Sequence, residues 1–99
     1  MDTIILSKSP NPKKKLRVVF PNNKHIDFGA RGYTDFILSG GDEKKKKAYI
    51  QRHQKREDWT NTGVETAGWW SRFLLWNANN MEDSIKDVER KLNMKIVIK

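Results

Sequence analysis

The sequence contains no cysteine among its 99 residues. Without thiols the chain has no disulfide framework and no thiolate metal site, a composition that fits a reducing compartment. It also lacks an apolar run long enough to cross a bilayer, and residues 1–6 are too short for the hydrophobic part of a signal peptide. These absences predict a soluble intracellular protein that is neither secreted nor membrane-spanning.

Catalytic and metal-binding patterns are missing as well. Ser39 and Ser71 have no accompanying pattern of histidine and acid that would make either a nucleophile. The two histidines, His25 and His53, lie on different predicted elements, and no ligand spacing joins them to nearby acids. A chain of 99 residues has room for one modest core. We therefore expect a single domain over residues 1–99, with no enzymatic activity, metal or cofactor.

Positive charge is abundant and unevenly placed. The formal net charge is +8, with a sequence pI near 9.9. Residues 1–56 hold 14 Lys and Arg against 5 Asp and Glu, whereas residues 57–99 hold 6 against 7. A basic surface attracts polyanions because neutralised phosphates release condensed counterions. The N-terminal half is thus predicted to bind, and the C-terminal half to act as scaffold.

Alternating apolar residues predict strands in the N-terminal third and at the C-terminus. Residues 3–6 form a short apolar run, which is interpreted as an edge strand followed by a loop. They lie within an N-terminal segment, residues 1–14, for which flexibility is the alternative interpretation. Residues 15–20 and 25–28 alternate around the turn Pro21-Asn22-Asn23-Lys24 and predict a hairpin. Residues 95–98 are a terminal strand that pairs with the same sheet.

Three helices are predicted between the hairpin and the last strand. Asp42 caps a thin, basic helix to about Arg56; Thr66 caps an apolar helix to about Asn77, with Trp69, Trp70 and Trp76 expected in the core. Asn80 caps a third helix that ends at Asn93. The predicted fold class is α+β, with a small antiparallel sheet packed against about three helices.

The candidate binding residues fall mainly in two basic clusters, at residues 13–17 and 44–56. The two would form one face if the first helix packs across the hairpin. A charge run is often only a solvated surface, but two clusters in one half of the chain favour an anionic partner. The predicted phosphate contacts are Lys13, Lys14, Lys15, Arg17, Lys24, Arg31, Lys44, Lys45, Lys46, Lys47, Arg52, Lys55 and Arg56.

Exposed aromatic rings beside these cations are candidates for stacking on bases, and the sequence offers Tyr33, Phe36 and Tyr49. The segment Gly29-Ala30-Arg31-Gly32 has the GXXG form of KH modules, but it follows a strand instead of joining two helices. A tight turn with positive φ at glycine, and Arg31 projecting outward, is the favoured interpretation.

Several motifs together resemble a known protein family. They are Phe28-Gly29-Ala30-Arg31-Gly32-Tyr33-Thr34-Asp35-Phe36, Tyr49-Ile50, Arg52-His53, Lys55-Arg56-Glu57-Asp58-Trp59, Thr66-Ala67-Gly68-Trp69-Trp70-Ser71-Arg72 and Leu74-Leu75-Trp76-Asn77. The chain resembles small, uncharacterised basic proteins of nucleocytoplasmic large DNA viruses, including giant and algal viruses, from about Arg17 to Leu92. The resemblance implies a setting in the virion or in the cytoplasm or nucleus of an infected cell, and carries no catalytic residues.

Three functions follow as expectations. The first is a non-enzymatic protein that binds nucleic acid, DNA more than RNA, through phosphate contacts. The second is a minor capsid protein whose basic face meets acidic surfaces of shell proteins. The third, a nucleic-acid enzyme, would require a metal gathered by Asp27, Asp35, His53 and Glu57.

Overall fold

The computed structural model describes residues 2–99, so the part of the predicted flexible segment at Met1 lies outside the described residues. The chain forms one sheet of four strands in the order β3-β2-β1-β4. The strands are β1 (Thr3–Lys8), β2 (Lys14–Val19), β3 (His25–Ala30) and β4 (Lys95–Ile98). With its helices this is the predicted α+β fold.

The direction and position of two strands differ from expectation. β2 is antiparallel to β1 and β3, but β4 runs parallel to β1, so the sheet is mixed instead of antiparallel. β1 is an interior strand instead of an edge, which suits its apolar run Ile4-Ile5-Leu6 because edge strands usually carry charge or proline. Strand β1, which lies within the N-terminal segment 1–14, thus has a neighbouring strand on each side.

The helices begin at the predicted capping residues. They are α1 (Glu43–His53), α2 (Ala67–Trp70) and α3 (Met81–Leu92), with a short 3-10 turn over Asn61–Gly63. The side chains of Asp42, Thr66 and Asn80 accept hydrogen bonds from backbone N–H groups of the first turns. Asn93 ends α3 in the left-handed conformation, φ 52°.

The predicted second helix changes character after one turn. α2 continues into a π turn over Ser71–Leu75, closed by the bond from Trp76 N–H to the Ser71 carbonyl at 3.0 Å. The wider turn lets consecutive apolar residues face the core, and Phe73 to Trp76 are all buried. The prediction that Trp69, Trp70 and Trp76 belong to the core is confirmed.

The core lies between one face of the sheet and the helices. Ile4, Val18 and Phe28 from the sheet are fully buried, together with Trp69 and Val88 from the helices. On the other face, Arg17 lies directly opposite Asp27 in the register of β2 and β3. The core is therefore formed on one face of the sheet. The start of β2 and the end of β3 lie at one edge of the sheet, where they contribute to the surface described below.

Candidate nucleic-acid interface

The connection between β3 and α1, residues 31–42, is fixed by a buried ion pair. Lys15 Nζ donates to Asp35 Oδ2 at 2.6 Å, with side chains only 15% and 4% exposed. The other Asp35 oxygen accepts from Leu38 N–H at 2.8 Å, and Phe36 N–H donates to the Leu75 carbonyl at 3.0 Å. These bonds hold the connection against β2 and the π turn, so that α1 starts at a defined place.

α1 itself is held by an aromatic stack. The Tyr49 ring lies 4.6 Å from the Trp76 ring at an interplanar angle of 8°, and 4.3 Å from the His53 ring. Burial raises the pKa of Tyr49 to about 12. Lys46 adds a hydrogen bond from Nζ to the Asn77 carbonyl at 2.7 Å and lies over the Phe36 ring.

A cleft of about 500 Å³ opens between α1, the start of β2 and the connection after β3. We call it the basic cleft. Lys14, Lys45 and Arg52 supply its positive charge, and Tyr33 contributes an aromatic ring. Lys45 and Arg52 are seven residues apart on α1, which is two turns, so both side chains lie on the side that faces the cleft. The two basic clusters of the sequence therefore meet here.

The far wall of the basic cleft comes from α2, the π turn and the segment after α1. Gly68, Ser71 and Trp76 line it, together with Glu57. A Cβ at Gly68 would overlap the Glu57 carboxylate, so this carboxylate sits directly against the first turn of α2. Sequence reasoning missed this wall because its residues come from two distant segments, and no local pattern marks them.

Eight of the predicted contacts remain available for a ligand. Within residues 2–99 none of the eight forms an ion pair with a carboxylate, and all but the partly exposed Lys14 are exposed. We call them the basic surface: Lys13, Lys14, Lys44, Lys45, Lys47, Arg52, Lys55 and Arg56. Three line the cleft, Lys13 precedes Lys14, and the others lie on α1 or directly after it.

Three other predicted contacts are occupied inside the protein. Lys15 is paired with the buried Asp35, and Lys46 is bound to a backbone carbonyl. Arg17 donates to both oxygens of Asp27, at 2.7 and 3.0 Å. This bond, helped by one from the Ser9 hydroxyl, lowers the pKa of the Asp27 carboxyl. These cations brace the fold, because Lys15 neutralises a buried carboxylate and the other two bond to oxygen atoms of partly exposed residues.

Lys24 and Arg31 were also predicted to contact phosphate, but neither lines the basic cleft. Lys24 lies at the hairpin turn and faces Glu65 at 3.5 Å. That turn is at the opposite end of β2 from Lys14, ~20 Å away for a six-residue strand. Arg31 folds back so that Nε donates to the Lys14 carbonyl at 3.1 Å. It braces the β2 start instead of projecting freely.

Of the three aromatic stacking candidates, only Tyr33 is exposed, at 72%. Phe36 and Tyr49 are buried in the core. Gly29 and Gly32 have φ of 78° and 91°, so the GXXG segment is the tight turn that the sequence favoured. That turn places Tyr33 at the basic cleft.

The three acids and the one histidine named for a metal site do not form an ion-binding cluster. Asp35, His53 and Glu57 line the basic cleft, whereas Asp27 is bound to Arg17 on β2. Across residues 2–99 no three Asp, Glu or His side chains are grouped closely enough to hold an ion. The described helices also include none with the length and apolar character that a bilayer crossing requires.

Comparison with known protein families gives a match over the first half of the chain. Searches of curated proteins and of solved structures found nothing similar. A family described as a family of unknown function, DUF5754, matches residues 4–53. The match runs from β1 to the end of α1 and includes most of the basic surface and one side of the basic cleft. Because it covers half of the sequence, the chain belongs to the DUF5754 family.

Proposed function

We propose that this protein binds nucleic acid without enzymatic activity, with duplex DNA as its main partner and the basic surface as its contact. The observation that carries the proposal is the meeting of Lys14 from β2 with Lys45 and Arg52 from α1 at one cleft. Side chains from two clusters about 30 residues apart in sequence thus line one cleft. The resemblance to proteins of large DNA viruses makes the virion or the infected cell the proposed setting.

The position of the lysines on α1 supports a binding role over simple solvation. Lys44, Lys45 and Lys47 lie in the first turns of the helix, where the partial positive charge of the helix dipole repels cations. Asp42 and Glu43 offset part of that repulsion. Residues that break a local stability rule without an internal partner are expected where a ligand supplies the compensation.

The size of α1 suits a phosphate backbone. Its 11 residues extend ~16 Å, and duplex DNA presents a charge about every 1.7 Å along its axis. Several phosphates thus fall within reach of the basic surface at once. Phosphate contacts of this kind set affinity without reading sequence, so the proposal includes no base specificity in duplex DNA.

A salt-series titration of labelled duplex DNA tests the proposal. Affinity should fall steeply with salt, and replacing Lys44, Lys45 and Lys47 by Gln should reduce the slope of log K against log salt by about 2 to 3. The matched control replaces Lys86, Lys95 and Lys99 by Gln, which removes the same charge from exposed positions on α3, β4 and the residue after β4.

The control variant should keep nearly the wild-type slope. Equal losses in the two triple variants would mean that only net charge matters, and the proposed surface would be wrong. Undetectable binding of wild-type protein at low salt would rule out the function itself.

A minor capsid role, bridging shell proteins, is the second candidate. It is favoured by β4, an edge strand whose Ile98 is 65% exposed and open to pairing with another chain. Capture of purified major capsid protein, abolished by Ile98→Lys and retained after nuclease treatment, would support this role. Capture that is lost on nuclease treatment would assign the contact to DNA.

A further inference from the structure

We infer that the basic cleft holds one unpaired nucleotide of the bound nucleic acid, with its base inside and its phosphate at the rim. The inference rests on the proposed function and adds a substrate class to it: nucleic acid that carries a single-stranded segment. A surface that only follows duplex phosphates needs no depth. This one has a cleft of about 500 Å³, a size typical of small-ligand sites, which are about 300–1,000 Å³.

The exposure of Tyr33 is the observation that favours a nucleotide base as the occupant. Its ring is 72% exposed, although burying an aromatic ring is normally favourable, and Lys14 and Arg52 line the same cleft. Exposed rings among cations are how single-strand binders stack bases. Leu38, equally exposed at 68% in the same connection, lies outside the cleft lining and provides a comparison.

The positions of the charged side chains in the basic cleft favour one orientation of a bound nucleotide. Lys45 and Arg52 are exposed at its edge, whereas Glu57 is half-buried against Gly68 on the wall. An anion placed against this wall would meet the Glu57 carboxylate, since the Lys15–Asp35 pair that also lines the cleft is neutral as a unit. A neutral base fits better there, because its amino and imino N–H groups can donate to Glu57 while its phosphate stays between the cations.

The same arrangement argues against an acidic peptide as occupant. Aspartate or glutamate side chains entering the basic cleft would bring a second carboxylate toward Glu57, and like charges at short range are unfavourable. The apolar part of the lining, from Ala48, Leu75 and Trp76, suits a flat heterocycle instead.

The test compares three labelled DNAs of equal duplex length: blunt, with a single-stranded tail, and with the same tail made abasic. The duplex with the normal tail should bind about tenfold more tightly than the one with the abasic tail, which carries the same phosphates, and this difference is the tail gain. Tyr33→Ala should remove the gain, Tyr33→Phe should keep it, and Leu38→Ala should change nothing.

A second variant tests the basic cleft without touching Tyr33. Ala48→Trp fills the cleft from α1 and should also remove the tail gain while blunt-duplex binding stays, with melting temperatures checking that each variant folds. Equal binding of normal and abasic tails would overturn the inference yet leave the proposed function intact.

Loss of salt-dependent binding to the blunt duplex would instead overturn the proposed function. A free mononucleotide that competes as well as the tailed duplex would assign the basic cleft to free nucleotides and contradict a strand. Competition by an acidic peptide, unaffected by Tyr33→Ala, would equally contradict the assignment.

Discussion

His53 is a single residue at which burial and charge act together. Its ring stacks on Tyr49 at 4.3 Å and lines the basic cleft. Burial lowers its pKa, the neighbouring Arg56 and Arg52 lower it further, and Glu57 acts in the opposite direction. The folded protein therefore favours the neutral imidazole.

This shift predicts a pH dependence of stability. Since the folded pKa lies below the unfolded value of about 6.5, the unfolded chain binds more protons and stability should fall as pH drops from 7 through 6.5 toward the folded pKa. Urea unfolding at pH 7.5 and 5.5 measures the loss. His53→Phe keeps a ring in the stack but cannot be protonated, so it should lose less stability between the two pH values. Identical losses in both proteins would contradict the expected role of His53.

The contact between Glu57 and Gly68 could not be predicted from the sequence around either residue. Glu57 follows a basic helix in sequence, but in the fold it lies against the backbone of Gly68 and lines the basic cleft. The neighbouring Asp58 accepts a hydrogen bond from the Thr60 hydroxyl at 2.6 Å. Only the folded chain brings residues 57 and 68 together, so no spacing rule could find this wall.

At the scale of elements, local signals were predictable and long-range ones were not. Asp42, Thr66 and Asn80 cap helices as their sequence positions indicate, because a cap bonds within its own first turn. The partner of β4 depends on how the intervening helices return the chain, which alternation cannot encode. The π turn at Ser71 likewise depends on burial of a nearly continuous apolar segment rather than on a local motif.

The basic start of α1 leads to a prediction about the element itself. Lys44→Glu should stabilise α1 by about 0.3–1 kcal/mol, because an acid in the first turn is favourable to the helix dipole, and should weaken duplex DNA binding. Amide exchange of residues 43–53 and DNA anisotropy measure the two effects.

Lys55→Glu is the matched control, since it makes the same charge change just beyond the other end of α1. Binding should weaken similarly, but α1 should lose stability instead of gaining it. Equal exchange in the two variants would show that the helix dipole has no part in the placement of these lysines.

The whole molecule divides into a packed body and an attached helix. The sheet, α2 with its π turn, and α3 share one core, whereas Tyr49 is the only α1 residue among the buried core side chains of residues 2–99. The charge asymmetry of the sequence largely follows this division, since six of the eight residues of the basic surface lie on α1 or directly after it. Composition predicted that asymmetry, but the meeting of α1 with Lys14 depended on an aromatic contact to Trp76 that charge counts do not contain.

This division predicts how the molecule opens. Elements with few buried contacts exchange amide hydrogens before the global unfolding of the core, so the amides of α1 should exchange much faster than those of β1 and β2.

Tyr49→Ala removes the ring that stacks on Trp76 and His53. It should abolish protection in α1 and weaken DNA binding, while the strands keep most of their protection. Tyr33→Ala removes an exposed ring of the same size and should leave the exchange pattern unchanged. If Tyr49→Ala instead lowered protection equally in α1 and in the sheet, α1 would be an integral part of the core, and the division into body and attached helix would be wrong.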